Sequence, residues 1–547
     1  MFGALPIINH FPFLCGVAAL NIGRFKFSGV FSGFKRRLSN ISPVRDVMVY
    51  PLPEDSHVLR DYWVCEPYAR VVVAEDVSGE VKYYALEEPL TFLERGILDR
   101  IISFIVRERD PPRGDVDRVK FVVSEAEALM SRYRRLRPPS EDSKRKILYY
   151  VARELAGFGV IHPLMLDPNI EDISCNGVGV PIYVYHRDFE SLPTNIVFLD
   201  EDALDDFIIR LSHLAGKHVS SANPVVDATL PGKHRLAATF MREVSNFGSS
   251  FCIRKFRENP FSIVELISMG TVNEWIAAYL WLVVENKMSV MVLGGTGAGK
   301  TTMLNAILSL VRPELKIVTV EETAEINIPH ENWVSFVSRE ELEFSGVKAR
   351  SIRLFDLVKT SLRYRPDYLI VGEIRGEEAY VLFQALATGH GGMSTMHADS
   401  LDYAVKRLTS PPMNISKVYL PLMNVWLHIE RMTDVKIGGH KSVRRVRSIW
   451  ELNSDGEEVV VAEWVPEGFF NVNFEDSFIL GRISRKTGFS MDELISEIDV
   501  RARYLRDLLG RGVLSHKSVA EAIRNYYKSY VGGLRLLKAE SKGGGGI

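Results

Sequence analysis

Eight consecutive residues carry the densest chemical signal in this chain: Gly294, Gly295, Thr296, Gly297, Ala298, Gly299, Lys300 and Thr301. Glycines at such spacing let backbone N–H groups curl around phosphate oxygens without Cβ clashes. The apolar run Val290–Leu293 before them reads as a strand. Thr302–Leu310 after them reads as a helix, whose N-terminus adds its positive dipole end. Lys300 can reach the β- and γ-phosphates of a nucleotide, and the Thr301 hydroxyl can ligate Mg2+. Strand, loop and helix stand in register, so the match to a phosphate-binding loop is full.

Other reactive side chains follow short apolar runs. Tyr368–Val371 reads as a strand ending in Gly372 and Glu373. A carboxylate there lies beside the phosphate loop, where it can hold the Mg2+ shell or orient a water. The strand at Lys316–Val320 leads into Glu321, Glu322 and Glu325. Carboxylates at the carboxyl edge of a parallel sheet lie where ligands bind, and one of them could be a general base; solvated loop acids are the equal alternative. His390 and His397 flank the short strand at Met393–Met396; a histidine at a core strand end is commonly structural, but His397 would fall near the γ-phosphate, so a structural and a catalytic role are equally open for it. Arg350, Arg353, Arg363 and Arg365 precede the Glu373 strand and Arg375 follows it. A ring-forming ATPase needs an arginine presented to a neighbour's γ-phosphate.

Positioning these groups takes a parallel sheet covered by helices, and from about residue 272 to 450 the pattern alternates between apolar strand and helix as that requires. Upstream, strands are expected at Tyr68–Val73 and Val81–Leu86 and an amphipathic helix at Thr91–Asp110. Pro138 and Pro139 mark a boundary near residue 140. A helix at about 143–157 then precedes strands at Ile182–His186 and Asn195–Leu199, a helix near 201–215, and strands at Arg235–Met241 and Ser250–Phe256. This is a small α+β pattern closed by Asn259-Pro260. From about residue 475 the chain reads as mostly helical and ends in a glycine run expected to be disordered.

The 547 residues are 46% hydrophobic and 25% charged, which excludes a wholly disordered chain, a collagen and a polytopic membrane protein. Net charge is −2, so a strongly basic nucleic-acid protein is not indicated. The charge is uneven. Residues 1–45 hold Arg24, Lys26, Lys35, Arg36, Arg37 and Arg45 and no acid. The first 23 residues are uncharged but broken by Pro6 and Pro12, so this segment is read as a flexible extension, with a membrane-surface anchor as the sharper alternative. Cys15, Cys65, Cys175 and Cys252 are scattered, which suits a reducing compartment and neither a zinc ribbon nor a disulfide framework.

Four motifs in this order resemble the secretion ATPases of the type II/type IV superfamily. They are the phosphate loop (294–302, including Thr302), an acidic box (318–325), a Walker B segment ending in Gly-Glu (365–379) and a histidine box (388–400). Pro231–Arg235 and Ile253–Phe256 look like that family's arginine strands, and Arg407–Asn414 looks most like its archaeal branch. The zinc module of many bacterial members is absent, since Cys252 is the last cysteine. The resemblance implies an α/β fold: a RecA-like core over 261–455, preceded by an N-terminal module (46–140) and an α+β, PAS-like N-domain (141–260), and followed by a helical subdomain (456–547). It implies ATP and Mg2+ as ligands, Lys300 and Thr301 on phosphate and metal, and Glu373 as the Walker B carboxylate and outer metal ligand. It further implies Glu321 as general base, His397 as γ-phosphate sensor, and Arg235 and Arg254 approaching the nucleotide across a domain or subunit boundary. The partners implied are five further copies in a hexamer, a polytopic membrane platform protein and, indirectly, pilin-like subunits. The place implied is the cytoplasmic face of the membrane, with nucleic acid not expected. A nucleic-acid translocase of the same class is the alternative, and a nucleotide-gated adaptor with little turnover is the third reading.

Overall fold

The computed structural model describes residues 47–108, 117–257, 259–339, 342–344, 347–349, 351–434, 441–465 and 467–529. The basic N-terminal segment, Arg350 and the terminal glycine run, which figured in the expectations above, lie outside these residues. Two compact units divide after Arg257.

The first unit is built on a ten-stranded sheet. Its elements are β1 (Val47–Val49), β2 (His57–Cys65), β3 (Ala69–Glu75), β4 (Val81–Glu87), α1 (Phe92–Glu108), α2 (Arg118–Arg132), α3 (Glu141–Leu155), α4 (His162–Leu166), β5 (Ile170–Cys175), β6 (Pro181–His186), β7 (Glu190–Phe198), α5 (Glu201–Leu214), β8 (Val225–Thr229), β9 (Arg235–Thr239) and β10 (Ser250–Arg254). The strands run β2-β3-β4-β7-β6-β5-β10-β9-β8, with β1 also on β7. At the joint between β4 and β7 the Asn195 side chain does a backbone's work: its Oδ1 accepts from Ala85 N (2.9 Å) and its Nδ2 donates to Tyr50 O (2.8 Å). Helix α5 presents Leu204, Phe207, Ile208 and Leu211 to the sheet, the i, i+3, i+4, i+7 stripe of an amphipathic helix. Arg235 on β9 and Arg254 on β10 are directly opposite each other, and each faces an aspartate, Asp227 (2.9 Å) and Asp172 (3.3 Å) respectively.

The second unit begins with α6 (Ile263–Ser268), α7 (Glu274–Glu285), β11 (Val290–Leu293), α8 (Lys300–Leu308), β12 (Ile317–Glu321), β13 (Trp333–Val337), β14 (Leu342–Phe344) and β15 (Val347–Ala349). It continues with α9 (Leu354–Ser361), β16 (Tyr368–Val371), α10 (Glu378–Ala387), β17 (Gly391–Met396), α11 (Leu401–Thr409), β18 (Val425–Asp434), β19 (Lys441–Leu452), β20 (Glu458–Trp464) and β21 (Phe470–Val472), then α12 (Phe478–Thr487), α13 (Met491–Gly510) and α14 (His516–Ser529). Nine strands form one sheet in the order β13-β12-β16-β17-β11-β18-β19-β20-β21. From β13 to β18 every pairing is parallel, and β11, β12, β16 and β17 are buried throughout, as parallel strands covered on both faces must be.

The expected strand–helix alternation ends earlier than residue 450. From β18 to β21 the sheet is an antiparallel meander. Asn453 Oδ1 accepts from Asp455 N and Glu457 N (2.9 Å each), and Gly456 takes φ +84°, an Asx-type hairpin turn. Helices resume at Phe478. Fully buried Arg501 on α13 binds them to the core: it pairs with Glu497 (2.8 Å) and Glu285 and lies over the Trp281 ring of α7 at 4.9 Å. Among the described residues no helix is long and apolar enough to cross a membrane.

Candidate active site at the carboxyl edge of the parallel sheet

Four strands deliver the site, and their register explains why distant residues meet. Leu293 of β11 pairs with Met396 of β17, Val371 of β16 with Ser394 of β17, and Val320 of β12 with Val371. The residues leaving these strands at the same edge are therefore Gly294, His397, Gly372-Glu373 and Glu321. In an open parallel sheet this edge is where ligands bind.

The loop after β11 is tightly constrained. A Cβ on Gly294 would sit 2.4 Å from the Ile429 carbonyl oxygen of β18, so only glycine lets the loop leave the sheet there. Gly299 caps α8 in the left-handed region, at φ +99°, and turns the loop into the helix. Lys300 is the first residue of that helix and is largely buried. Its Nζ donates to Gly295 O (2.8 Å) and stands 3.3 Å from His397 Nδ1. Burial pulls the Lys300 amine below its ordinary pKa, against the opposing charge of Glu373.

His397 lies between the lysine and the carboxylate. Its Nε2 is 3.4 Å from Glu373 Oε1. Desolvation first, and the Lys300 charge second, hold the ring below its usual pKa. Glu373 Oε2 accepts from Arg375 (2.6 Å), and Arg375 also faces Glu322 at 3.9 Å. The loop carrying Glu373 is pinned by Glu378, whose Oε1 accepts from Arg375 N and Gly376 N (2.6 Å each).

Glu321 is buried at the end of β12. Its Oε1 accepts the backbone N–H of Glu325 (2.9 Å) and Ile326 (2.8 Å), which orients the carboxylate. A Cβ on Gly372 would meet Glu321 Cγ at 3.0 Å, so the glycine before Glu373 leaves room for the second acid. Glu325 and Glu322 are not buried with it. His390 is separated from the site. It stands at the amino end of β17, with its Nδ1 3.0 Å from Thr388 Oγ1, a local contact at the end of α10. The neighbouring glycines answer to packing: a Cβ on Gly391 would be 2.6 Å from the Tyr368 ring, and one on Gly392 would be 2.5 Å from Leu386. Arg353, Arg363 and Arg365 flank α9 and the turn before β16, and Arg235 and Arg254 belong to the first unit.

Three contributors escaped the sequence reading. Asn305, one helical turn beyond Thr301, donates to Thr301 O (3.1 Å) and Glu325 O (3.3 Å) and accepts from Asn327 N (2.9 Å). It ties α8 to the acidic loop, and its i+4 spacing was a usable signal. On β17, the Ser394 and Thr395 hydroxyls donate to Val371 O (2.7 Å) and Gly372 O (2.8 Å), holding the end of the neighbouring strand. A cavity of about 470 Å3 opens beside the loop, between Gly295, Thr296 and Ala298 and the side chains of His428, Arg447 and Trp450.

Residues 154–432 match the protein family described as "Type II/IV secretion system protein". The chain belongs to that family. It is 38% identical over 403 residues to an uncharacterized protein of Methanocaldococcus jannaschii, an alignment covering 72% of each chain. It is 26% identical over 270 residues to protein VirB11 of Rhizobium radiobacter, covering 45% of this chain and 77% of that one. Among solved structures it is similar to the ATPase DotB of Legionella pneumophila, at 18% identity and a TM-score of 0.38, covering 61% of this chain and 84% of that one.

Proposed function

We propose that this chain is an ATP-hydrolysing motor of a type II/type IV secretion-like system. It works as a hexamer at the cytoplasmic face of a membrane, against a polytopic platform protein, and drives assembly or export of pilin-like subunits. One observation carries the reading: Lys300, His397 and Glu373 form a contiguous chain of contacts of 3.3 and 3.4 Å at the edge where the phosphate loop opens. Membership of the secretion family supplies the setting.

In this reading the loop amides of residues 294–299, together with Lys300, Thr301 and Thr302, bind the phosphates of ATP. The cradle fits: a side chain at Gly294 would collide with the strand behind it, and the buried Lys300 amine is directed along the loop. Mg2+ would be held by the Thr301 hydroxyl with Glu373 behind it, hard oxygen donors of the kind this ion takes, and it supplies charge neutralisation at the phosphoryl oxygens. Glu321 takes the proton of the attacking water, and the two backbone N–H groups on its Oε1 keep the other oxygen turned to its task. His397 touches both the lysine and the acid and so senses whether a γ-phosphate lies between them. Arg235 and Arg254 complete the site from the first unit or from a neighbouring subunit.

Phosphate release from ATP, measured with purified full-length chain, tests this directly, and light scattering with Mg-ATP tests the hexamer. Turnover that needs DNA, with a steep salt dependence, would move the reading to a nucleic-acid translocase. A particle that stays monomeric at every nucleotide concentration would remove the ring.

A further inference from the structure

The strand β19 places an arginine against the outer side of the phosphate loop. Arg444 Nε donates to the Gly297 carbonyl at 3.0 Å. Its Cδ lies 3.3 Å from where a Cβ on Gly299 would stand. Arg444 lies beyond residues 154–432, the span matched by the family.

A bulge decides that this side chain reaches the loop. Along β18 and β19, His428 pairs with Ser448, but the next residue, Ile429, pairs with Val446, so Arg447 is the extra residue. Both Ile449 and Val446 belong to the core on the face where Ile429 meets Gly294 and Gly299. Three residues apart on a regular strand, they would face opposite ways. The bulge resets the alternation, and Arg444, two residues from Val446, falls on the loop face. Bulges next to binding sites re-aim side chains in this manner. The arrangement also has a cost: Arg444 is directly opposite Arg431, a like-charge pair that disfavours the strand pairing.

We propose that Arg444 is a positioning residue of the nucleotide site. A loop that presents its N–H groups to phosphate must turn carbonyls the other way, and these need a donor. Arg444 supplies it at Gly297, in the middle of the loop. It braces the loop from behind and keeps the amides in the phosphate-binding orientation before nucleotide arrives. The inference rests on the proposed ATPase function.

The test compares Arg444→Ala, Arg444→Lys and, as a control, Arg503→Ala, an exposed arginine on α13. ATP dissociation constants are measured by equilibrium titration, with KM and kcat on the same preparations and thermal unfolding without nucleotide. Loss of a charged hydrogen bond to the loop should raise Kd and KM about tenfold in Arg444→Ala, with kcat reduced less than threefold. Arg444→Lys should recover part of the affinity, since it keeps the charge but not the planar fork. The control should leave Kd and KM at wild-type values. Unchanged Kd and KM in Arg444→Ala overturn the inference. So does a fall confined to kcat, which would mean action in the transition state. If the wild-type chain binds no ATP, the proposed function fails and this inference with it; if wild type binds and turns over while Arg444→Ala matches it, only the inference fails.

Discussion

The Nε2 of His397 stands 3.4 Å from Oε1 of Glu373, and the same ring stands 3.3 Å from Lys300 Nζ through Nδ1. One imidazole thus spans two oppositely charged groups beside the glycine loop. Burial and Lys300 both press its pKa below the ordinary value, which favours the neutral ring. A neutral ring can donate to one neighbour and accept from the other.

The lysine and the acid should separate binding from chemistry. Lys300→Ala is expected to abolish ATP binding in an equilibrium titration. Glu373→Gln is expected to bind ATP within about threefold of wild type and to lose at least about a hundredfold in kcat. Wild-type turnover in Glu373→Gln would sink the assignment.

Removing the lysine charge should be legible at the histidine. In Lys300→Met the His397 pKa should rise, because the second cause of its depression is gone. NMR titration of the ring reads this out. In the wild type the ring should gain its proton below the ordinary histidine pKa near 6.5, so activity that needs the neutral form should fall with acidification at a lower pH than a free histidine would give. No movement of the His397 titration in Lys300→Met would mean that the two groups are not electrically coupled.

Glu321 offers a contrast between two substitutions. Gln keeps an oxygen for the Glu325 and Ile326 amides, whereas Ala leaves both donors, the buried Ile326 N–H among them, without it. Glu321→Gln should therefore unfold near the wild-type temperature while kcat drops about a hundredfold. Glu321→Ala should lose about 1–3 kcal/mol of stability in addition. Equal stability losses in the two variants would argue that the amide contacts contribute nothing.

The first unit carries its own pH sensitivity. Burial, with Arg153 second, pushes His162 down to about 3, and Glu154 and Arg210 are its other charged neighbours. Burial, with Lys255 second, pushes His234 down to about 4. Both are neutral when folded and titrate near 6.5 when unfolded. Between these values the unfolded chain binds the extra protons, so stability is full above pH 6.5 and falls as the pH drops toward the folded pKa values. Each histidine contributes a slope of about 1.4 kcal/mol per pH unit there. Urea unfolding between pH 6.5 and 4.5 measures it, and His162→Asn should show the shallower dependence. If the variant follows the wild-type slope, acid sensitivity resides elsewhere.

How much of this could be read from the sequence depends on how local each feature is. The phosphate loop was complete in one stretch, since its strand, its glycines and its helix start are contiguous and each is dictated by local backbone geometry. The same holds for the strands ending at Glu321, Glu373 and His397, whose apolar runs are short and continuous. That these three acids and bases share one site was inferred from their places at strand ends of one parallel sheet, and the family resemblance implied the same. Residue order alone does not say that β16 and β17 insert between β11 and β12, and that insertion is what sets Val371 beside Val320 and Met396 beside Leu293. His397 stood apart from His390 already in sequence, by its place after the strand near the γ-phosphate, and β17 runs in the direction that puts His397 at the site edge and His390 at the opposite end. The antiparallel end of the sheet and the reach of Arg444 were legible nowhere. A bulge is a register choice between two strands, and a one-residue change in register reverses which face every later side chain occupies. The sequence by itself determined what chemistry is present and which elements carry it; the tertiary structure decided which face, which edge and which neighbour each residue has, because strand order and register are set by long-range packing rather than by the residues adjoining them.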